Sequence, residues 1–210
     1  MWLSVLSSAS ILIPTFLGLN SFKYLFQGQK YFIFYILLSL VFEIVTDLFY
    51  FFDINNLWLF KLILVADLFF FIWYFYKLGI QTNLLKNILA VVAFDLVILV
   101  LNGLTKIGIR FDSLFFLSIF LFFIIQSALT MIYIFENIEG NPTSYFLFWI
   151  SFARLIYFLI IFIIYIFPNI RPDIFNNMFF GKVFYIINAT GNIICNILYG
   201  GSFLCIKINK

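Results

Sequence analysis

Two acidic side chains, Glu43 and Asp47, lie four residues apart in the second long apolar stretch of the sequence. In a helix this spacing places both carboxyl groups on one face, one turn apart. Two like charges this close repel each other, and a shared proton or a bound cation relieves the repulsion. The pair therefore indicates proton exchange or cation binding.

A single arginine, Arg154, interrupts the apolar stretch from Phe146 to Phe167, and Asp67 and Asp95 occupy other apolar stretches at similar depth. Ionisable side chains inside hydrocarbon are rare and mark functional sites. We expect Arg154 to be buried and to pair with Asp67 or Asp95 within roughly 6 Å. Such a pair could serve a ligand, or it could only lock the fold. One arginine cannot neutralise all the acids, so some should be protonated, hydrated or bound to a cation.

Other polar residues in the later apolar stretches recur at helical spacing, which places them on common helix faces. If these faces converge, they enclose a polar cavity; if they diverge, several charges face lipid at about 2.5 to 3.5 kcal/mol each. Convergence costs less, so we expect one polar intramembrane site. Its candidate residues are Glu43, Asp47, Asp67, Asp95, Gln126, Arg154, Tyr157, Asn188, Asn192 and Asn196.

The elements that must position these residues are membrane-spanning helices. The chain of 210 residues is 65% hydrophobic and only 10% charged, whereas about a quarter of the residues of a soluble domain are charged. A transmembrane helix needs about 20 predominantly apolar residues. The sequence predicts an all-α, polytopic helix bundle, a single transmembrane domain over residues 1–210. Its seven spans are approximately 2–19, 31–52, 57–76, 88–101, 114–135, 145–167 and 183–206.

The first apolar stretch is expected to stay in the membrane, because it lacks the basic start and the cleavage site of a signal peptide. Pro14 should kink this span, and Ser7, Ser8 and Ser10 could satisfy the backbone groups that the kink frees.

Basic residues in the short loops predict the orientation of the bundle. With the N-terminus outside and the C-terminus inside, the inner segments hold six basic residues and the outer loops four. The inner set is Lys23, Lys30, Lys77, Lys86, Lys207 and Lys210; the outer set is Lys106, Arg110, Arg171 and Lys182. This distribution predicts a multi-pass membrane protein with its N-terminus outside and its C-terminus inside. The net charge of +3 favours contact with anionic lipid over nucleic acid.

Several chemistries are excluded by the residues present. The sequence has no histidine, which removes Ser-His-Asp and Cys-His catalysis and His-ligated zinc. No glycine-rich phosphate-binding motif occurs, and Cys195 and Cys205 are too far apart on one helix to bond each other. We therefore assign no catalytic residue, metal site or cofactor. An enzyme could still act through its carboxylates.

Three short segments carry a resemblance to a known group of proteins. They are Asn55-Asn56-Leu57-Trp58-Leu59, Phe148-Trp149-Ile150 with Leu155-Ile156-Tyr157-Phe158, and Asn192-Ile193-Ile194 with Asn196-Ile197-Leu198-Tyr199. In these segments the chain resembles an uncharacterised group of small seven-span membrane proteins of Bacteroidota-type bacteria. The resemblance implies a bacterial inner-membrane location and a link to two-component signalling, and it implies no activity.

Three functions fit the sequence. The first is a ligand-sensing, signalling or scaffold module. Because only a few residues follow the last span, its signal should pass through helix contacts to a membrane or cytoplasmic protein partner, or to a second copy of the chain. The second is a small proton- or cation-coupled transporter, which midplane carboxylates favour and the lack of an internal repeat disfavours. The third is an intramembrane lipid-modifying enzyme.

Overall fold

The computed structural model of the protein describes residues 2–52, 57–79, 111–138, 140–170 and 178–205. Within these ranges the regular structure is entirely helical, which confirms the all-α prediction. Two short 3-10 turns accompany the helices, at Phe22–Tyr24 and Pro142–Ser144. The helices are α1 (Trp2–Ala9), α2 (Leu12–Ser21), α3 (Gln27–Phe51), α4 (Leu57–Lys77), α5 (Phe111–Asn137), α6 (Phe146–Ile170) and α7 (Met178–Leu204).

Five segments of the described chain are helical, long and apolar enough to cross a membrane. They are Trp2–Tyr24, Gln27–Phe49, Phe116–Asn137, Phe146–Ile166 and Gly181–Leu204. Helix α4, with 21 residues, also has the length of about 20 residues that a membrane span needs. The fourth predicted span, 88–101, lies outside the described residues.

The first span is two helices rather than one, because α1 ends at Ala9 and α2 begins at Leu12. Pro14 has no N–H, so the carbonyl of Ser10 loses its regular partner and instead accepts a bond of 3.1 Å from the N–H of Ile13. The Ser10 hydroxyl donates to the carbonyl of Ser7 at 2.6 Å. The expected kink is therefore a break one turn before Pro14, and a serine satisfies part of the freed backbone.

Helices α5 and α6 form an antiparallel pair joined by the turn at Pro142–Ser144. The side chain of Asn141 accepts a hydrogen bond of 3.1 Å from the N–H of Thr143 and so fixes the turn. Ring contacts then run along the pair, from Phe135 and Phe148 near the turn, with centroids 6.1 Å apart, to Phe123 and Phe158 at 4.4 Å. Aromatic packing of this kind holds the two helices in register.

Helix α2 approaches α7 closely because glycine occupies two contact positions. A Cβ atom at Gly200 would lie 3.0 Å from Cγ2 of Ile13, and one at Gly18 would lie 3.1 Å from the ring of Phe203. Small residues allow this kind of approach between membrane helices, where packing rather than water drives association. Helices α5, α6 and α7, together with α2, form the well-packed side of the described part of the bundle. Helix α3 is less enclosed, with 17% of its span buried against 50% for α5.

Candidate functional site

A cavity of about 180 Å³ lies between the first span and helices α3, α4, α6 and α7. An apolar cavity of about 150 Å³ holds one benzene molecule, so this space accepts a small ligand or a few waters. Its wall includes ten residues with polar side-chain groups: Tyr35, Ser39, Glu43, Thr46, Asp67, Tyr157, Asn192, Cys195, Asn196 and Tyr199.

The two carboxylates of the wall lie well inside the helices. At a rise of about 1.5 Å per residue, Asp67 is about 15 Å from either end of α4, and Glu43 is about 12 Å from the carboxyl end of α3. A membrane has a hydrocarbon core about 30 Å thick. Helices that cross it therefore carry both acids at hydrocarbon depth.

Glu43 is linked to the first span and to α7 by weak hydrogen bonds. Its Oε2 accepts from the Ser8 hydroxyl at 3.4 Å, and its Oε1 accepts from Nδ2 of Asn192 at 3.5 Å. The same Nδ2 donates to the Ser7 hydroxyl at 3.0 Å. These distances are at the long end of the hydrogen-bonding range, so Glu43 retains capacity to accept from a ligand.

Asp47 does not line the cavity, and its side chain is exposed. It is connected to Glu43 through Ser8, whose hydroxyl also lies 3.2 Å from Oδ1 of Asp47. A hydroxyl carries one proton and donates to one acceptor at a time. The two acids therefore compete for the donor that Ser8 provides.

Asn196 ties the break in the first span to α7. Its Nδ2 donates to the Ser10 hydroxyl at 2.8 Å, in a buried bond between residues 186 positions apart in the chain. Because Ser10 in turn donates to the carbonyl of Ser7, one chain of hydrogen bonds runs from α7 to the freed backbone.

Asp67 is held by α3. Its carboxylate accepts a hydrogen bond from the Tyr35 hydroxyl, which in turn accepts one from the Ser39 hydroxyl. The ring of Tyr35 stacks on Phe70, with centroids 4.7 Å apart, and meets Phe71 edge-on at 4.8 Å. The packed ring fixes the hydroxyl, and this fixes the carboxylate.

Arg154 is 1% exposed and does not line the cavity. Its guanidinium carbon lies over three phenylalanine rings, 3.0 Å from the centroid of Phe71, 4.2 Å from that of Phe123 and 5.4 Å from that of Phe158. None of its three nitrogens has a hydrogen-bond partner among the described residues. Cation–π contacts therefore hold this charge.

The pairing expected for Arg154 takes a different form in the structure. Asp67 lies within electrostatic range of Arg154 and makes no hydrogen bond with it. The other expected partner, Asp95, lies outside the described residues.

The remaining candidates from the sequence fall into two groups. Glu43, Asp67, Tyr157, Asn192 and Asn196 come together in the cavity wall. Asn188 is exposed in the first half of α7, and Gln126 is 3% exposed on α5; neither lines the cavity.

Sequence reasoning did not include Ser7, Ser8 and Ser10 among the site residues, although the three bond to Asn192, Glu43 and Asn196. A cluster of serines one turn before a proline was the available signal. The spacing of Tyr35 and Ser39 places them on the same helical stripe as Glu43 on α3, although the candidate site residues did not include them.

The wall is suited to binding through oxygen atoms. No group of three or more His, Cys, Asp or Glu within the described part of the chain could hold a metal ion. None of the described lining residues is lysine or arginine. Carboxylates accept hydrogen bonds only, and amides and hydroxyls can accept them.

Comparison with known proteins adds no relationship: no protein-family model, curated protein or solved structure matches this chain.

Proposed function

We propose that this protein is a membrane sensing module that binds a small ligand in the Glu43–Asp67 cavity and transmits binding to a partner protein. The observation that carries the proposal is the cavity itself, which has two carboxylates in its wall at hydrocarbon depth. Ionisable groups there are costly and belong to binding sites or relays.

The uneven packing of the bundle supports a signalling role. Within the described part of the chain, α6 and α7 pack closely against each other, whereas α3 and α4 make fewer contacts with their neighbours. A ligand that contacts both Glu43 on α3 and Asn192 on α7 would lose one of these contacts if α3 moved away from α7. Only such a difference lets a ligand shift a conformational equilibrium. Helix α3, the least buried of the five spans, is the element through which a partner would receive the change.

The proposal places the chain in a bacterial inner membrane with seven spans, the N-terminus outside and the C-terminus inside. The positive-inside distribution of lysine and arginine supports this orientation. Five described segments and the length of α4 support six of the spans. In this orientation Glu43 lies in the outer half of the membrane, because α3 would run from the inside to the outside.

A proton- or cation-coupled transporter is the second candidate, and one observation favours it. The first span is broken between Ala9 and Leu12, and the serines at the break contact the residues of the cavity wall. Broken helices of this kind form the midplane binding sites of many transporters.

A lipid-modifying enzyme has less support. Pockets for drug-sized ligands have volumes of about 300 to 1,000 Å³, and this cavity has about 180 Å³. A lipid headgroup with its acyl chains would not fit in it.

The sidedness of access separates the two leading functions, and Cys195 in the cavity wall is a natural reporter. The variant Cys205→Ser leaves Cys195 as the single thiol. We would treat reconstituted vesicles with a small membrane-impermeant thiosulfonate from one face or the other and read labelling by mass spectrometry. Sensing predicts reaction from one face; reaction from both faces would favour transport. If Cys195 reacts from neither face, an accessible cavity, and with it the proposal, is contradicted.

Measurements of proton and cation flux provide a second test that separates sensing from transport. A sensor should show no movement of protons or cations beyond that of empty vesicles. Flux that disappears in Glu43→Gln but persists in Asp47→Asn would transfer the assignment to transport. The comparison is matched because both residues are acids on α3, and Glu43 alone lines the cavity.

A further inference from the structure

We propose that the ligand of the cavity is a small monovalent organic ammonium ion. The inference rests on the proposed ligand-binding function and names the chemical class of the ligand. Its basis is the combination of charge, shape and hydrogen-bonding groups in the cavity wall.

Among the described residues, the acidic side chains in and near the cavity outnumber the basic ones by one. Glu43 and Asp67 stand in the wall, and Arg154 is the cation whose charge acts on Asp67. Asp47 lies about 6 Å from the end of α3, and Lys61 lies about 6 Å from the start of α4, at the same end of the bundle. Their opposite charges add to zero, so the pair does not change the net charge. When both wall acids are ionised, one negative charge is left in excess among the described residues, and a monovalent cation would neutralise it.

Arg154 cannot neutralise Asp67 by contact, because its guanidinium is stacked on Phe71 and Phe123. The hydrogen bond from Tyr35 holds the carboxylate and brings no positive charge. An ammonium group of a ligand would supply the positive charge that the Asp67 carboxylate does not receive by direct contact from Tyr35 or Arg154.

The side chain of Asn192 adds an acceptor. Nδ2 of Asn192 donates to the Ser7 hydroxyl at 3.0 Å and lies 3.5 Å from Oε1 of Glu43, and both of these oxygens can accept a hydrogen bond. The amide oxygen of Asn192 is a hydrogen-bond acceptor on a residue of the cavity wall. Ammonium ligands donate through N–H, which matches an acceptor-rich wall.

The aromatic part of the wall favours an organic ion over an alkali ion. Five rings line the cavity, those of Tyr35, Phe42, Tyr157, Phe158 and Tyr199. Ring faces attract ammonium groups by about 0.5 to 2 kcal/mol, and the rest of each ring packs against carbon. A bare alkali ion would leave most of the 180 Å³ to water, roughly six molecules at about 30 Å³ each.

The test compares three probes of similar size and different charge: benzylamine, benzyl alcohol and benzoate. Each is titrated by calorimetry into the full-length protein in zwitterionic nanodiscs, and the signal of empty nanodiscs is subtracted. We expect benzylamine to bind at least about tenfold more tightly than either other probe, as expected for a charge paired with a carboxylate. Sodium chloride and potassium chloride should displace benzylamine no more than the chloride of a cation too large for the cavity does at the same ionic strength.

Two variants locate the binding. Asp67→Asn should weaken benzylamine binding by at least about tenfold, because the shape of the side chain is kept and its charge is lost. Glu136→Gln is the control and should bind like the wild type, because Glu136 is exposed near the end of α5 and does not line the cavity.

The outcomes separate this inference from the function on which it rests. Equal or tighter binding of benzyl alcohol or benzoate, abolished by a bulky residue at Ser39, would keep the ligand cavity and overturn the ammonium assignment. Specific displacement by sodium or potassium would overturn it in favour of an alkali ion. If no probe binds, both the inference and the proposed ligand site are contradicted.

Discussion

The guanidinium carbon of Arg154 lies 3.0 Å from the centre of the Phe71 ring, and this contact joins α6 to α4. A guanidinium group is planar and weakly hydrated for a cation, so it can stack on a ring where a lysine ammonium could not. Phe123 places a second ring beside the same group, 4.2 Å from its carbon. The central cation of the bundle is thus held by aromatic rings on neighbouring helices.

The Arg154–Phe71 contact should be measurable by a double-mutant cycle. We expect Arg154→Met and Phe71→Leu to show a coupling of about 0.5 to 2 kcal/mol in the free energy of unfolding in mixed micelles. The control pairs Arg154→Met with Phe69→Leu, since Phe69 is 56% exposed on α4. A Phe71 coupling no larger than that of Phe69 would refute the cation–π contact.

Asp67→Asn should fold nearly as well as the wild type. Asparagine keeps an oxygen for the Tyr35 hydroxyl, and Asp67 makes no hydrogen bond with Arg154. We expect a loss below about 1 kcal/mol, whereas breaking a buried ion pair costs about 3 to 5 kcal/mol. Asp67→Leu, which leaves Tyr35 without its acceptor, should cost about 1 to 3 kcal/mol. Thermal unfolding of both variants in detergent is the measurement, and a loss in the ion-pair range for Asp67→Asn would show that the two charges pair.

The hydrogen bond between Ser10 and Asn196 should stabilise the closed bundle. Asn196→Ala is expected to lower the free energy of unfolding by about 0.6 to 1.7 kcal/mol, the range measured for bonds between membrane helices. Ser10→Ala should cost a similar amount, and the double variant should lose less than the sum. Asn188→Ala is the matched control, because Asn188 is exposed on the same helix. Additive losses would indicate that the two side chains act separately.

Gly18→Ala should loosen the contact between α2 and α7. Its Cβ would lie 3.1 Å from the ring of Phe203, and that ring is fully buried and cannot retreat. Overpacking costs about 1 to 3 kcal/mol, which we expect to see as a lower unfolding temperature. Gly201→Ala is the control, because nothing lies within 4 Å of its Cβ position. Equal effects of the two substitutions would exclude steric contact as the cause.

Helix positions followed from the sequence because the length of an apolar stretch sets the length of a membrane span. The predicted spans 31–52 and 145–167 became α3 (Gln27–Phe51) and α6 (Phe146–Ile170). Stripe spacing also placed Asn192 and Asn196 on one face of α7, because residues three or four apart share a helix face.

The surroundings of Arg154 could not be predicted in the same way. The rings around its guanidinium belong to α4, α5 and α6. The spacing of residues within one helix does not determine how that helix is rotated relative to its neighbours. Phenylalanine is so frequent here, with 33 residues, that no single one stood out. Glu43 and Asp47 share a helix face but differ in exposure, because that face extends beyond the cavity. Glu43 borders the cavity, and Asp47 is exposed beyond it.

The broken first span has a consequence for the order in which the protein assembles in the membrane. Ser7 and Ser10 find their partners on α7, across 185 and 186 residues of chain. Because α7 is synthesised long after α1, the early span enters the bilayer with these polar groups unsatisfied by their final partners. Water, headgroups or the insertion machinery must cover them during synthesis. Arrival of α7 then closes the bundle by joining its first span to the last described one.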